Sequence, residues 1–343
     1  MAKGDGPGVR AAGTGGASTL GGQSLGRLIC FSLFEGYATT LGDDTSRPLR
    51  RSTQFLINPA AGRGRIAARL QRLLRHAPTL GGGYEIVPVR TIADAGVALR
   101  RLAPGGIPVA AGGDGTVGLL VAALHRNGMQ DSAIAILPFG TGNILARALG
   151  VGDPRQAIRA LEHGTVRHID VMRTSHPAAP FALVSISTGF EGRFLSRYAC
   201  LRRFGRPVGA LAALSVAFGN GGPIALELDG DAVLRPDDGV FSAGLYNTRC
   251  YAAGLVMSPG ADISDGWGEC NVYRTARTYW ATVGAALRGA SRYPHAGVFR
   301  RRWRTAHIES QGPIQLDGEP VSGSAISVCM EPGALAVIVP TSD

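Results

Sequence analysis

Three glycine-rich loops, each placed between an apolar run and a stretch with helical spacing, constrain the fold more than any other feature of the sequence. They span Asn58 to Gly64, Gly112 to Thr116, and Pro138 to Asn143. The apolar runs before them predict short buried strands, and the apolar residues that recur every three or four positions after them predict helices. Strands and helices that alternate through short connections predict an α/β domain with a doubly wound parallel sheet.

The pattern changes near residue 160. Beyond it, short apolar runs separated by turn pairs such as Asp317-Gly318 predict strands that pair antiparallel. Two helical stretches interrupt them, near Val208 to Phe218 and near Tyr279 to Tyr293. We therefore predict three regions, namely a disordered Gly/Ala/Ser/Thr-rich extension over residues 1–50, an α/β domain over 51–160 and a β-rich, mostly antiparallel domain over 161–343.

The placement of the three loops favours a site for phosphate groups. In an open parallel sheet, ligands bind beyond the carboxyl ends of the strands. Glycine lets the backbone approach a phosphate closely, and the N-terminus of the helix that follows offers free N–H groups to it. Each loop alone is also explained as a tight turn, but three of them at one sheet edge favour a binding rim.

Asp114 lies inside the second loop and points to a more specific chemistry. A carboxylate among phosphate-binding glycines would repel the ligand, unless a divalent cation bridges the two or the carboxylate orients a donor. We therefore predict Mg²⁺-nucleotide chemistry, with Asp114 as a catalytic residue that organises metal or water. A helix N-cap is the alternative role for an aspartate at this position.

The charged residues exclude some reaction mechanisms. The chain carries 35 basic and 25 acidic residues, a net charge of +10, yet Lys3 is its single lysine. Mechanisms that need a positioned lysine, such as Schiff-base formation or the P-loop type of phosphate binding, are therefore excluded. Arginine, metal and backbone N–H groups must neutralise phosphate instead. Arg63 and Arg65 lie nearest to the first loop, followed by Arg202 and Arg203.

The order of these motifs resembles the diacylglycerol kinase catalytic-domain family, which includes bacterial lipid kinases, sphingosine kinases and ceramide kinases. The resemblance covers nearly all of the chain from Gln54 to Pro340. Its most specific parts are the third loop and the late run Leu316-Asp317-Gly318-Glu319. The other motifs that carry it are Asn58-Pro59, the loop 112–116, Ala146-Arg147, Thr188-Gly189-Phe190, Ser258-Pro259 and Asp265-Gly266.

The resemblance implies a NAD-kinase-like α/β domain, a β-rich lipid-substrate domain and a cleft for ATP between them. Asp317 would be the general base that takes the proton of a lipid hydroxyl, and Glu319 would lie beside the nucleotide or its metal. Asp265 matches the position that holds a structural Mg²⁺ in some bacterial members. The residues that would line the nucleotide belong to the three loops: Asn58, Gly62, Arg63, Gly64, Gly112, Gly113, Gly115, Thr116, Gly140, Thr141 and Asn143.

Two positions depart from the family pattern. Many diacylglycerol-specific members carry an acid where this chain has Ile144, which weakens the case for diacylglycerol in particular. The acid usually found after the Gly-Phe pair is here Glu191, which keeps the negative charge but changes the length of the side chain that carries it. If the family resemblance is set aside, an ordinary Asp-Gly hairpin turn explains Asp317 equally well.

An arginine-rich stretch suggests where the protein meets a membrane. Arg274 to Arg304 contains eight arginines and no acid, interleaved with aromatic residues such as Tyr279, Trp280 and Trp303. Arginine with aromatic rings suits the headgroup region of an anionic membrane, whereas a solvated helix face and a nucleic-acid surface are the alternatives. Five scattered cysteines fit a reducing compartment, and neither a spanning helix nor a signal peptide is evident. We predict a cytoplasmic protein, peripheral at the inner membrane face, with no nucleic-acid partner.

Taken with the resemblance, these features predict an ATP- and Mg²⁺-dependent lipid kinase. It would phosphorylate a hydroxyl of a diacylglycerol-like or long-chain-base lipid. Two alternatives predict different behaviour. A soluble small-molecule kinase of the NAD-kinase type would be active without lipid or detergent, and a non-catalytic nucleotide-binding membrane module would bind Mg-ATP without transferring phosphate.

Overall fold

The computed structural model describes residues 52–59, 65–75, 83–201, 204, 207, 208, 211, 215–217, 219, 221–251, 254–289 and 297–341. All of them belong to one compact unit that runs from Asp44 to Asp343. The extension predicted over residues 1–50 lies outside the described residues, as does most of the helix predicted over Val208 to Phe218.

Strands outnumber helices among the described residues. The strands are β1 Thr53–Ile57, β2 Tyr84–Pro88, β3 Ile107–Gly112, β4 Ala135–Pro138, β5 Thr165–Thr174, β6 Phe181–Ala182, β7 Ser185–Gly189, β8 Ile224–Leu228, β9 Asp231–Leu234, β10 Ser242–Tyr246, β11 Cys250–Tyr251, β12 Leu255–Val256, β13 Gly268–Tyr273, β14 Val298–Trp303, β15 Thr305–Ser310, β16 Ile314–Leu316, β17 Glu319–Val321 and β18 Ala325–Val339. The helices are α1 Ile66–Leu74, α2 Ile92–Leu99, α3 Asp114–Arg126, α4 Ile144–Ala148, α5 Pro154–His163, α6 Phe190–Leu201 and α7 Ala276–Leu287.

The first four strands form a parallel sheet in the order β2-β1-β3-β4. Most residues of its central strands are apolar, and Phe55 and Val109 are completely buried because residues of the helices and of later strands join them in one core. The predicted α/β fold with a parallel sheet is confirmed. The chain moves from β1 outwards to β2 and then returns to β3 on the other side of β1, so the strand order reverses between β1 and β3.

The later strands form two larger, mainly antiparallel sheets, which confirms the predicted β-rich region. One has the order β14-β13-β10-β7-β16-β17 and the other the order β6-β5-β18-β15-β8-β9. Both contribute to one hydrophobic core, with Leu245 and Trp303 from the first sheet and Ile308 from the second. The two sheets therefore pack face to face as a β-sandwich. In this sandwich, β16 and β17 are joined by a tight hairpin, and β16 lies next to β7.

Strand β18 connects the sandwich to the parallel sheet. It is 15 residues long and pairs with β5 on both sides of an irregularity between Glu331 and Leu335. Val337, in its second half, bridges to Ile134 beside β4 and belongs to the same core as Phe55. The domain boundary near residue 160 stays a prediction, and the first hydrophobic core includes residues from both sides of it.

The helices beyond the third loop differ from the sequence-based prediction. Helices α5 and α6 were not predicted. Helix α7 begins at Ala276, where Thr275 caps it by accepting the Thr278 N–H, and it ends at Leu287 rather than near Tyr293.

Candidate active site

The second and third glycine loops are in direct contact. The carbonyl of Gly112 accepts the backbone N–H groups of Phe139 (2.9 Å) and Gly140 (3.0 Å). A side chain on Gly140 would clash with the Cα atom of Gly113, so glycine is needed for the two backbones to approach this closely. The ends of β3 and β4 therefore meet in one surface, next to the point where the strand order reverses, which is where open α/β sheets bind ligands.

Asp114 joins the same two loops through its side chain. It is the first residue of α3, yet its carboxylate accepts the backbone N–H groups of Ile144 (3.1 Å) and Leu145 (3.0 Å) at the start of α4. Asp114 thus caps α4 rather than its own helix. A carboxylate has about four acceptor positions, so two remain for a ligand. The predicted role in organising metal or water stays a prediction.

Asn143 ends the third loop with φ at +49°, in the left-handed region that asparagine tolerates better than most residues. Its Nδ2 donates to the Gly140 carbonyl (3.0 Å). Its Oδ1 is buried and has no hydrogen-bond partner among the residues that the structure describes. A buried acceptor without a donor is costly, so this atom fits a ligand that carries a donor group.

The described residues that were predicted to line a nucleotide lie at the carboxyl ends of β1, β3 and β4 or in the first turn of α3. The structure places there Asn58, Gly112, Gly113, Gly115, Thr116, Gly140, Thr141 and Asn143. Thr116 is buried and its N–H donates to the Gly113 carbonyl (2.9 Å). Gly62, Arg63 and Gly64 lie outside the described residues, and their role stays a prediction.

Asp317 occupies the two-residue turn between β16 and β17. Asp317 and Gly318 both have positive φ, at +50° and +91°, and Leu316 pairs with Glu319 across the turn. The Asp317 carboxylate accepts three backbone N–H groups that precede or begin β7: Leu183 (2.8 Å), Val184 (2.8 Å) and Ser185 (3.0 Å). The hairpin reading of this Asp-Gly pair is therefore correct, and the carboxylate is in addition fixed by a long-range contact.

The environment of Asp317 raises its pKa to about 6, mainly because the carboxyl group is withdrawn from water. The three N–H donors oppose this by lowering the pKa, and the charge of Asp114 raises it again. The electrostatic effect of Asp114 on Asp317 shows that the structure brings the two predicted catalytic acids close enough to interact. A carboxyl group with a pKa of about 6 is suited to accept a proton near neutral pH.

The two remaining acids predicted at the site lie in different places. Glu319 is exposed on β17, two residues after Asp317. Asp265 lies before β13, where it pairs with Arg302 and accepts the Trp267 N–H (3.0 Å). Nowhere in the described part of the chain do three potential ligands of the His, Cys, Asp or Glu type come together as a metal site. The metal role of Asp265 stays a prediction.

Sequence reasoning missed a buried carboxyl group in an aromatic cluster. Glu191 lies in the first turn of α6 and accepts the hydroxyl groups of Tyr279 (2.9 Å) and Tyr246 (3.3 Å). Burial raises the pKa of Glu191, and hydrogen bonds with Ser187, Tyr279 and Tyr246 oppose the shift. In the sequence, Glu191 stands out only as a departure from a motif. Its tyrosine partners lie far along the chain and give no signal there.

Two arginines near the loops were also missed as candidates. Arg69 on α1 lies over the ring of Phe139 in the third loop, with its guanidinium carbon 5.4 Å from the ring centre. Arg147 on α4 lies beside Gly254, which has φ at +85°. Both side chains are exposed and therefore available to an anionic ligand. The signal for Arg147 was present, because it belongs to the Ala146-Arg147 motif.

The arginine-rich stretch differs from its sequence-based interpretation. Arg301 pairs with Asp231 (2.8 Å), and Arg302 pairs with Asp265. Trp303 is buried in the core of the sandwich, and Tyr279 is buried in the aromatic cluster around Glu191. The stretch is therefore partly neutralised by acids from other segments, and these two aromatic rings are not available at a membrane surface.

Comparison with known proteins agrees with this geometry. The sequence profile of the diacylglycerol kinase catalytic domain matches residues 52–174, which contain all three glycine loops. This part of the chain is therefore similar to diacylglycerol kinase catalytic domains. The family resemblance seen in the sequence is confirmed, and the chain is a kinase.

Similar proteins extend the match beyond this catalytic domain. A Pseudomonas aeruginosa protein named "Probable lipid kinase YegS-like" is 29% identical over 247 residues, which cover 68% of this chain and 76% of the relative. A diacylglycerol kinase of Mycobacterium tuberculosis is 28% identical over 240 residues, which cover 67% of this chain and 75% of the relative. A crystal structure of a diacylglycerol kinase from Bacillus anthracis covers 84% of this chain and 97% of its own, with a TM-score of 0.64 and 19% identity, and so shares the fold.

Proposed function

We propose that the protein is an ATP- and Mg²⁺-dependent lipid kinase that phosphorylates a hydroxyl group of a diacylglycerol-like or long-chain-base lipid. One observation carries the proposal. The Asp317 carboxyl group is held by three backbone N–H groups, close enough to Asp114 of the glycine loops for their charges to interact, with its pKa raised to about 6. The names of the relatives from Pseudomonas and Mycobacterium support a lipid as the acceptor.

Asp317 performs the proton transfer in this proposal. Near pH 7 it is mostly ionised, since its pKa is about 6, and an ionised carboxylate can take the proton of an attacking hydroxyl group. The backbone N–H groups of Leu183 and Val184 hold its two oxygens in place, so the base needs no rearrangement before reaction. A base positioned in this way contributes about 10² to 10⁴ in rate.

The glycine loops are suited to hold the nucleotide. ATP supplies the phosphoryl group that is transferred. A side chain at Gly140 would clash with the backbone of Gly113, so the second and third loops can approach closely only with glycine there. The first turn of α3 offers N–H groups, and Asn143 Oδ1 has no donor among the described residues. Mg²⁺ usually binds through one or two carboxylates together with the phosphates of the substrate. Asp114 and Glu319 are the acids we assign to it.

We assign the remaining phosphate charge to arginine, because Lys3 is the single lysine of the sequence. Arg69 and Arg147 extend from α1 and α4, the helices that follow the first and third loops. Arg65, immediately before α1, is exposed and is a third candidate. Their guanidinium groups can bind two phosphate oxygens at once, which also fixes the orientation of the phosphate.

The lipid is reached at an anionic membrane, on what we call the α6–α7 face. We define this face by four exposed apolar residues, which are Phe204 (61% exposed), Val208 (47%), Leu211 (70%) and Leu287 (70%). The segment between α6 and β8 contacts α7, because Trp280 Nε1 on α7 donates to the Ala217 carbonyl (3.1 Å). Exposed Arg197 and Arg288 flank the face and complement anionic headgroups.

This face supports a peripheral location at the inner membrane surface. The helices among the described residues are too short or too polar to cross a bilayer. Exposed leucine and phenylalanine beside arginine are typical of proteins that insert apolar side chains into the headgroup region. We therefore assign the membrane contact to the α6–α7 face rather than to the arginine-rich stretch as a whole.

A substrate panel tests the activity. Purified protein is incubated with radiolabelled ATP and Mg²⁺ in mixed micelles of diacylglycerol, sphingosine or ceramide, and the labelled lipid is identified. Labelling of at least one lipid is expected. Turnover of a soluble acceptor without lipid or detergent would instead indicate a small-molecule kinase, and ATP binding without any transfer would indicate a non-catalytic module.

The catalytic role of Asp317 has a matched control within the chain. Asp229 also lies in an Asp-Gly hairpin at positive φ (+53°), and it accepts the backbone N–H groups of Arg304 (2.9 Å) and Thr305 (2.8 Å). We expect Asp317→Asn to lower kcat by about a hundredfold or more. Asp229→Asn changes the same kind of turn and is expected to keep kcat. Equal activities of the two variants would remove Asp317 from the role of base.

Vesicle sedimentation tests the α6–α7 face. The wild-type protein is expected to bind vesicles that contain phosphatidylglycerol more strongly than vesicles of phosphatidylcholine alone. Leu211→Asp should reduce binding about tenfold or more, because the free energy of burying one leucine side chain is about 1.5–3 kcal/mol. Val166→Asp is the control, since Val166 is also exposed (53%) but lies on β5. Equal loss in both variants would contradict this assignment.

A further inference from the structure

Gln315 is a completely buried amide two residues before Asp317. Both polar atoms of its side chain are hydrogen-bonded. Its Oε1 accepts the backbone N–H of Gly318 (2.6 Å), and its Nε2 donates to the hydroxyl oxygen of Ser187 (2.7 Å). Gln315 therefore spans from the catalytic turn to the neighbouring strand, where its backbone is paired with that of Ser187.

The bond to Gly318 closes the turn from inside. Asp317 and Gly318 both have positive φ, so the backbone of the turn has a conformation that most residues avoid. The Gly318 N–H is held by the Gln315 side chain, and the Asp317 carboxylate is held by N–H groups at the start of β7. Loss of either contact would allow the turn to move relative to β7.

The bond to Ser187 fixes the other end. Ser187 is itself completely buried on β7 and also hydrogen-bonds with Tyr251. If the amide of Gln315 rotated, the Gly318 N–H would face Nε2 and lose its acceptor. A buried donor left without an acceptor is costly, so the observed orientation of the amide is strongly preferred.

We propose that Gln315 is a positioning residue for the Asp317 base, acting through the Gly318 N–H and the Ser187 hydroxyl group. Gln315 is buried behind the turn, so it acts through Asp317 and not on the lipid. The inference rests on the proposed function, because Asp317 is the base only if the protein transfers phosphate to a hydroxyl group. The geometry that Gln315 maintains can nevertheless be measured without turnover.

The first test compares Gln315→Leu with a matched control. Gln54 is a second buried glutamine, whose Nε2 donates to Glu85 (3.0 Å) and to the Ala98 carbonyl (3.1 Å) away from the catalytic turn. Gln315→Leu is expected to lower kcat about a hundredfold, with the KM for ATP changed less than about twofold, because misplacing a catalytic group by an ångström has an effect of this size. Gln54→Leu removes a similar amide and is expected to keep kcat within about twofold.

The second test follows the turn by amide hydrogen exchange, measured by NMR. The Asp317 carboxylate accepts the N–H groups of Leu183 and Val184, so these two amides should exchange slowly in the wild-type protein. If the turn loosens in Gln315→Leu, the carboxylate moves away from them and both amides should exchange about tenfold faster or more.

Ser187→Ala provides a milder variant in case Gln315→Leu does not fold. It removes the partner of Gln315 Nε2 and leaves the Gln315–Gly318 bond in place. Faster exchange of the Leu183 and Val184 amides in either variant but not in Gln54→Leu supports the positioning role, even if no lipid in the panel is phosphorylated. Unchanged exchange of these amides in both variants would overturn the inference, whatever the result of the substrate panel.

Discussion

Asp114 Oδ1 accepts the backbone N–H of Leu145 at 3.0 Å, although 31 positions separate the two residues in the sequence. Through this bond and its neighbour to Ile144, an acid at the start of one helix caps the next. Helix α4 is only five residues long and its N-cap residue, Asn143, makes no side-chain cap bond. The third loop therefore depends on the second for its shape.

This dependence predicts the effect of Asp114→Ala. The variant leaves the N–H groups of Ile144 and Leu145 without their acceptor, which should lower the free energy of unfolding by about 1–3 kcal/mol. Nucleotide binding, measured by calorimetry with a non-hydrolysable ATP analogue, should weaken at the same time. Asp153→Ala is the control, because Asp153 accepts the N–H groups of Arg155 and Gln156 at the start of α5. It should lose stability but keep nucleotide affinity, and a similar loss of affinity in both variants would contradict the link between the loops.

The raised pKa of Asp317 predicts a pH dependence of activity. Because burial raises this pKa to about 6, the ionised base becomes scarce below that pH, and kcat/KM should fall about tenfold per pH unit. The same shift acts on stability with a definite sign. The folded state binds this proton more tightly than the unfolded state, whose pKa is near 3.8, so the contribution is present below pH 4 and is lost as the pH rises through about 6.

Rates measured between about pH 5 and pH 8, with unfolding followed over the same range, check both statements. Asp317→Asn should lack this contribution to the pH dependence of stability. A pH–rate profile without an acid limb near pH 6 would contradict the assignment.

The close approach of Gly113 and Gly140 predicts that the third loop does not tolerate a side chain. Gly140→Ala should remove nucleotide binding and lower the free energy of unfolding by about 1–3 kcal/mol, because the added carbon meets backbone that cannot give way. Gly118→Ala, in the middle of α3, meets nothing within 4 Å and should stabilise the protein by up to about 1 kcal/mol. Chemical denaturation of both variants tests the contrast. Equal stability would show that the loops can separate.

The metal predicted at Asp265 can be tested by thermal unfolding. A cation that binds the folded state raises the melting temperature, so Mg²⁺ should stabilise the wild-type protein and have a smaller effect on Asp265→Asn. Asp231→Asn is a close control, because Asp231 pairs with Arg301 on β14 as Asp265 pairs with Arg302. If Mg²⁺ stabilises the three proteins equally, Asp265 is not a ligand.

The parallel sheet and its loops could be predicted from the sequence because each strand, loop and helix lies in consecutive residues. Helix α5 could have been found in the same way. Asp153 is an N-cap residue, Pro154 occupies the first turn, and Ala157, Ile158 and Leu161 follow the helical spacing. The change of pattern near residue 160 hides this helix, because it resembles a domain boundary.

The environment of the candidate base could not be predicted in the same way. The donors to Asp317 are backbone N–H groups more than 130 positions away, and backbone groups leave no trace in the sequence of side chains. The arginine-rich stretch is misleading for a related reason. The acids that neutralise Arg301 and Arg302 come from segments 70 and 37 positions away, so counting charge along the chain overstates what is exposed.

Strand β18 also determines when the first hydrophobic core can form during synthesis. Leu335, Val337 and Val339 belong to the same core as β1 and β3, yet they are synthesised after all three glycine loops and both candidate catalytic acids. Until then, the parallel sheet has an uncovered apolar surface, which is a target for chaperones and for aggregation. A protein truncated shortly before Leu335 would contain every glycine loop, Asp114 and Asp317, and still lack the packing that holds them in place.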